Sequence, residues 1–292
     1  MERLRPRAAN ALAGATRALS RSTNEAEQRV VLHSLSSSLQ WKPGSHFKAL
    51  HALRVPSVEL HRRSDLEEGV WAKSPGVILP FLRVDDEYKL KALEELRAYG
   101  WPPHNNVGAV LAVPLFESSK RPGAMATSCV EAALELAQRA KAKDLRCRVS
   151  LLDAFGAESA SEVGAAAVEV VAKLFADTGC ETVVLDDRRN HLGALGDGAA
   201  ERFERVVEAV LGADASGGTT GGRRLGVRLA GSVLGAQLSL RAAAAHGVGQ
   251  IECCPFGEAA PRLAHVAAAC AEAGVTVAGI DLEAISTSPE WS

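Results

Sequence analysis

The stretch Arg223–Gly257, RRLGVRLAGSVLGAQLSLRAAAAHGVGQIECCPFG, decides the fold. Leu225–Ala230 is a short apolar run. Ser232–His246 is rich in Ala and Leu and is stopped by Gly247, and Val248–Cys254 is a second short run. Strand, helix and strand at this spacing form a βαβ unit, because two parallel strands need a crossover of a dozen or more residues. When such units close into a barrel, the chemistry sits on inward residues at the carboxyl ends of the strands. Here those positions are Arg228, Ala230, Glu252 and Cys254, which do not form an obvious catalytic set.

The same unit recurs from Val30 onward. Strands are expected at Val30–Leu35, Val55–Leu60, Val77–Leu82, Val107–Leu115, Arg146–Asp153, Glu181–Asp186, Leu225–Ala230 and Val248–Cys254. Between them lie helical stretches: a weak one at His46–Leu53, then Asp65–Lys73 behind a Ser64/Glu67 capping box, Asp85–Tyr99, and Thr127–Lys143. Four more follow, each closed by a glycine: Ser159–Thr178, Asp197–Leu211, Ser232–His246 and Glu258–Ala273. The strands are nearly continuous apolar runs, as expected when helices cover a parallel sheet. Eight such units predict an α/β fold, a (β/α)8 TIM barrel with parallel strands, in preference to an open doubly wound sheet. A ninth apolar run, Val275–Ile280, reads as an added strand or closing segment.

Composition narrows the function. The 292 residues are 47% hydrophobic and 23% charged with a net charge of −2, enough for one large α/β domain with a substantial core. The dispersed charge and an aromatic content of 4% argue against nucleic acid as a partner. No apolar run reaches the roughly 18 residues that a membrane-spanning helix needs. The six cysteines lack C-x-x-C spacing, which suggests free thiols in a reducing compartment and no zinc site. Residues 1–24 carry five arginines against the single acid Glu2, with Ala, Leu and Ser between them. This basic leader reads as a mitochondrial transit peptide or a disordered tail in front of a single domain over 25–292. The Gly-rich piece Asp214–Gly222 lacks the Lys-Ser/Thr ending of a phosphate loop and precedes a strand, so it reads as a linker.

With the element order in place, the chain resembles the 3-hydroxy-3-methylglutaryl-CoA (HMG-CoA) lyase family of mitochondrial and peroxisomal barrel enzymes. The resemblance runs from about Val30 to Val275. Its anchors are VLHSLSSSLQ at Val31–Gln40, RVSLLDAFG at Arg148–Gly156, ETVVLDD at Glu181–Asp187, and Gly247–Gly257, where Cys254-Pro255-Phe256 looks like the family's cysteine loop. The resemblance implies cleavage of a carbon–carbon bond in a β-hydroxy acyl-CoA. In the family a divalent cation polarises the substrate oxygens, an arginine stabilises the enolate, and the loop cysteine assists proton transfer.

The family's arginine and its metal ligands are replaced here. Ser36 and Ser37 stand for its Arg-Asp pair, Arg228 and Ala230 for its His-x-His, and Glu258–Arg262 contains no asparagine. Hydroxyls and a methyl group cannot replace a carboxylate and two imidazoles, and Arg228 would repel a cation. No bound metal and no other cofactor is therefore expected. The leading reading is a catalytically degenerate HMG-CoA lyase-like barrel, serving as a structural or accessory subunit of a mitochondrial assembly with other protein subunits. Two alternatives stay open. One is an active acyl-CoA carbon–carbon lyase using Cys254 and Asp187 as catalytic residues. The other is a binding module for an acyl-CoA or small anion, with Arg228 as the contact. Asp187 also reads as a turn cap, since only one of Asp186 and Asp187 can face inward. His33 reads as a core histidine, His191 as a loop residue without a partner, and Cys253 and Cys254 as structural thiols. If Arg228 faces inward it needs a carboxylate, with Glu252 the first expectation and Asp187 the second.

Overall fold

A computed structural model describes residues 29–35, 57–60, 79–98, 107–117, 124–212, 225–229, 233–246, 248–253, 266 and 276–278. In chain order the elements are β1 Arg29–Leu35, β2 Ser57–Leu60, β3 Leu79–Val84, α1 Glu87–Ala98, β4 Gly108–Pro114, α2 Thr127–Ala142 and β5 Cys147–Leu152. They continue with α3 Glu162–Asp177, β6 Thr182–Asp186, α4 Ala199–Gly212, β7 Leu225–Arg228, α5 Val233–His246, β8 Gln250–Cys253 and β9 Thr276–Ala278. The expected leader, the linker, Ser36, Ser37, Ala230, Cys254, Glu258–Arg262 and the expected helices at His46–Leu53 and Asp65–Lys73 lie outside the described residues, as does nearly all of Glu258–Ala273.

Every strand pairing is parallel, and the order β2-β3-β4-β5-β6-β7-β8-β1 is closed by pairing of β1 with β2. This is the eight-stranded α/β barrel that the sequence predicts. The ninth apolar run forms β9, which also pairs in parallel with β1. Strand ends differ from expectation by at most two residues. Two expected helices are shorter because short 3-10 turns take their starts: Ala157–Ala160 before α3 and Gly193–Gly198 before α4. Ser161 accepts a hydrogen bond from the Gly164 amide and so caps α3, which places the helix start two residues beyond the turn.

The pleat divides the barrel strands into two sets. One set, including Val58, Leu60, Leu82, Leu111, Val149, Leu151, Val183, Leu185, Val227 and Ile251, joins helix residues such as Val130, Phe175 and Phe203 in one continuous apolar cluster. The alternate positions face the barrel axis and are largely polar: Ser57, Glu59, Arg148, Ser150, Thr182, Asp186, Arg228, Gln250 and Glu252 are all buried. Register confirms the parity, since Glu59 pairs with Phe81, Arg148 with Thr182 and Asp186 with Arg228. Gly108 also belongs to this inner set. A Cβ there would lie 2.4 Å from the Phe81 ring, so the missing side chain makes room for a phenyl group inside the barrel.

Candidate functional site

Arg228 ends β7 and faces inward with only 6% of its surface exposed. Its guanidinium meets three carboxylates. Nη2 bonds Glu59 of β2, Nη1 lies 3.1 Å from Asp186 Oδ2, and Nη2 is 3.6 Å from Glu252 Oε2. Burial alone would weaken its proton affinity, but Glu59, Asp186 and Glu252 outweigh burial and hold its pKa above the ordinary arginine value. Arg228 is therefore a permanent cation.

Two of the acids have further partners. Asp186 Oδ2 also accepts from the Ser150 hydroxyl at 2.9 Å, yet burial pushes its carboxyl above the ordinary 3.8 despite Arg228 and Ser150. Glu252 accepts from Arg148 and, at 2.8 Å, from the Gln250 amide, whose oxygen in turn accepts from Thr182 at 3.2 Å. The Phe81 ring carries the Arg148 guanidinium at 5.0 Å and that of Arg146 at 4.9 Å. Arg83, at the end of the inner row of β3, has its pKa lowered by burial and then by the charge of Arg188.

The expected pairing of Arg228 with Glu252 is present, as the longest of its three ion pairs. The expectation that Asp187 would be the second choice is corrected. Asp187 follows β6 on the outward parity, and its two oxygens accept the His191 amide at 2.8 Å and the Leu192 amide at 3.0 Å, so it caps the turn after the strand. Burial raises its pKa, and the two amides oppose that rise. Asp186, its neighbour, enters the barrel instead. His191 is corrected as well: its Nε2 lies 3.5 Å from Asp153 Oδ1, and Arg189 Nε lies 3.4 Å from Asp153 Oδ2. Asp153 follows β5 at φ 58, a left-handed conformation that costs about 1 kcal/mol in a non-glycine residue. His33 of β1 pairs in register with Glu252. Cys253 is buried on the outer, apolar side of β8.

Glu59 and Arg148 belong to the site although the sequence pattern does not single them out. A signal is present, because each is a lone charge in a strand otherwise buried on both faces, at an inward parity.

The divalent cation implied by the resemblance does not fit these residues. Glu59, Asp186 and Glu252 all pair with the Arg228 guanidinium, and a dication placed among them would face that fixed like charge. Among the described residues no group of three His, Cys, Asp or Glu side chains converges as a metal site, and no helix is long and apolar enough to cross a membrane.

The closed parallel sheet defines an α/β barrel with a polar interior. No family model and no curated protein sequence matches the chain. Solved structures do match it. An HMG-CoA lyase from Pseudomonas aeruginosa is similar with a TM-score of 0.66 at 15% identity, over 90% of this chain and 92% of that one. The Bacillus subtilis HMG-CoA lyase gives 0.65 at 12% identity, over 89% and 91%. An HMG-CoA lyase from Acinetobacter baumannii, in complex with coenzyme A and 3-methylmalate, gives 0.63 at 14% identity, over 90% of each chain. At these identities the similarity establishes a shared architecture, an HMG-CoA lyase-like barrel.

Proposed function

We propose that this chain is a catalytically degenerate HMG-CoA lyase-like barrel that serves as a structural or accessory subunit of a protein assembly. The observation that carries the reading is Arg228. Its guanidinium occupies the inner end of β7 and engages Glu59, Asp186 and Glu252, so a fixed cation stands among the acids of the barrel interior. An interior ion pair of this kind specifies packing and leaves the carboxylates uncommitted to substrate. A partner surface is supported by α3, where Val163, Val170 and Leu174 are 81%, 54% and 42% exposed on one helix. Beside Leu174 a groove of about 520 Å³ runs to Leu134 and Gln138 of α2. A mitochondrial location belongs to the same proposal and rests on the arginine-rich composition of residues 1–24.

The test is turnover. Purified full-length protein with 3-hydroxy-3-methylglutaryl-CoA and Mg²⁺ or Mn²⁺ should show no cleavage above the uncatalysed rate. Chelator-sensitive cleavage would overturn the proposal and favour an active lyase using Cys254 and Asp187. A second reading, an acyl-CoA or small-anion binding module centred on Arg228, is favoured by the coenzyme A held by one structural neighbour. Calorimetry with acetyl-CoA separates the two, because the accessory-subunit reading expects no heat of binding. In native extracts the chain should run well above its own 30.7 kDa; migration as a monomer counts against a subunit role.

A further inference from the structure

Away from the inner ion network, at the amino-terminal end of the barrel, two thiols lie side by side. Cys147 begins β5, and Cys180 sits in the turn between α3 and β6; their sulfurs are 3.8 Å apart and share a hydrogen bond. The backbones are tied as well, since the Glu181 amide donates to the Cys147 carbonyl at 2.7 Å. A cavity of about 220 Å³ is lined by both cysteines together with Lys141, Arg146, Thr178 and Glu181. It is several times the ~30 Å³ share of one water molecule, so a solute of a few heavy atoms fits.

We propose that Cys147 and Cys180 form a peroxide-reactive dithiol that closes to an intramolecular disulfide. Several groups favour Cys180 as the attacking sulfur. Its hydrogen bond with Cys147 lowers its pKa, burial works against that, and the Thr178 hydroxyl and the Lys141 ammonium add to the lowering, with Glu181 opposing. The Cys147 thiol is held protonated by its bond to Cys180 and then by burial. Arg146, the other cation at the cavity, is engaged by Glu181 in two hydrogen bonds of 2.7 and 2.8 Å.

In the first step the Cys180 thiolate attacks one oxygen of hydrogen peroxide. A sulfur–oxygen bond forms, the oxygen–oxygen bond breaks, and the departing hydroxide takes up the proton lost by the thiol, giving a sulfenic acid and water. In the second, Cys147 sulfur attacks Cys180 sulfur; its proton and the sulfenic hydroxyl leave together as a second water. Two thiols are oxidised to one disulfide and one peroxide is reduced to two waters. The sulfurs must approach from 3.8 Å to about 2.05 Å, a closure that rotation of two side chains on tied backbones can supply.

The experiment treats the full-length protein with hydrogen peroxide, alkylates the remaining thiols and maps cysteine peptides by mass spectrometry. Expected is a Cys147–Cys180 cross-linked peptide, loss of two of the six thiols, and recovery of both with dithiothreitol. Cys147→Ser should leave Cys180 as a sulfenic acid that dimedone traps, whereas Cys180→Ser should leave Cys147 unoxidised at the same dose. Oxidation of exposed Cys129 ahead of this pair, or Cys180 joined to another cysteine, would overturn the proposal. If either serine variant fails to fold, peptide mapping of the wild-type protein still separates these outcomes.

Discussion

At the scale of single residues, Arg228 sets a fixed charge inside the barrel against three acids, Glu59, Asp186 and Glu252. Removing one partner of a buried ion cluster orphans the others, which costs more than the cluster's net contribution. Arg228→Ala should therefore destabilise the fold by about 3–5 kcal/mol, through Glu59, Asp186 and Glu252 together, as read by urea denaturation. An unchanged midpoint would mean that the acids are satisfied by water and that the interior is open. Asp186 offers a pH test. Burial raises its folded pKa above 3.8, so the native state binds its proton more tightly than the unfolded chain does. Its contribution to stability is then greatest below the unfolded value and is lost as pH rises through the folded one. Asp186→Asn removes that titration, so the stability of wild type relative to the variant should decline as pH rises from below 3.8 toward neutrality. A difference that is flat with pH, or that grows, would show that Arg228 dominates over burial.

At the scale of elements, most of the barrel is legible because parallel strands buried on both faces are written as short apolar runs, and helices stop at glycine or at a cap. VVLD in β6 and LGVR in β7 can be placed within a residue or two. Sequence period also places Asp186 and Asp187 on opposite faces once the strand is placed, yet it cannot say which parity is inner without the register. Glu59, 169 residues from Arg228, is hidden for a different reason: contact across a barrel depends on its closure, which no local pattern encodes. The start of α3 is not legible because the stretch from Ser159 continues the helical composition, whereas the chain makes a separate 3-10 turn there and packs it closely on the helix. A Cβ on Gly164 would stand 1.8 Å from the Glu158 carbonyl oxygen. Gly164→Ala, normally favourable in a helix by about 1 kcal/mol, should here destabilise the protein by shifting the turn or the helix. A thermal midpoint raised by that substitution would contradict the close approach.

For the molecule as a whole, the decisive property is that cations and acids of its own strands face one another inside the barrel. Arg148 and Arg228 face Glu59, Asp186 and Glu252, with Gln250, Thr182 and Ser150 adding hydrogen bonds around them. In a ligand-dependent barrel some of these groups would wait for a cation or an anion, and filling the site would stabilise the fold by mass action, about 2.7 kcal/mol at a hundredfold excess over Kd. For a domain of this size each kcal/mol moves the melting temperature by about 2–4 °C, so such binding is read easily. Among the described residues Asp186 Oδ1 and Glu252 Oε2 accept no hydrogen bond. All three acids lie within 3.6 Å of the Arg228 guanidinium, however, so a dication there would face a fixed like charge, and an anion must displace an acid before it reaches Arg228. Saturating Mg²⁺, Mn²⁺ or acetyl-CoA should therefore leave the melting temperature of the full-length protein unchanged within error. If acetyl-CoA alone raised it by several degrees, and Arg228→Ala abolished that rise while the variant still unfolded cooperatively, the ion cluster would have to be a latent anion site. Stabilisation by Mn²⁺ would instead place a cation among the carboxylates that surround Arg228, and would require Arg228 to swing out of the barrel.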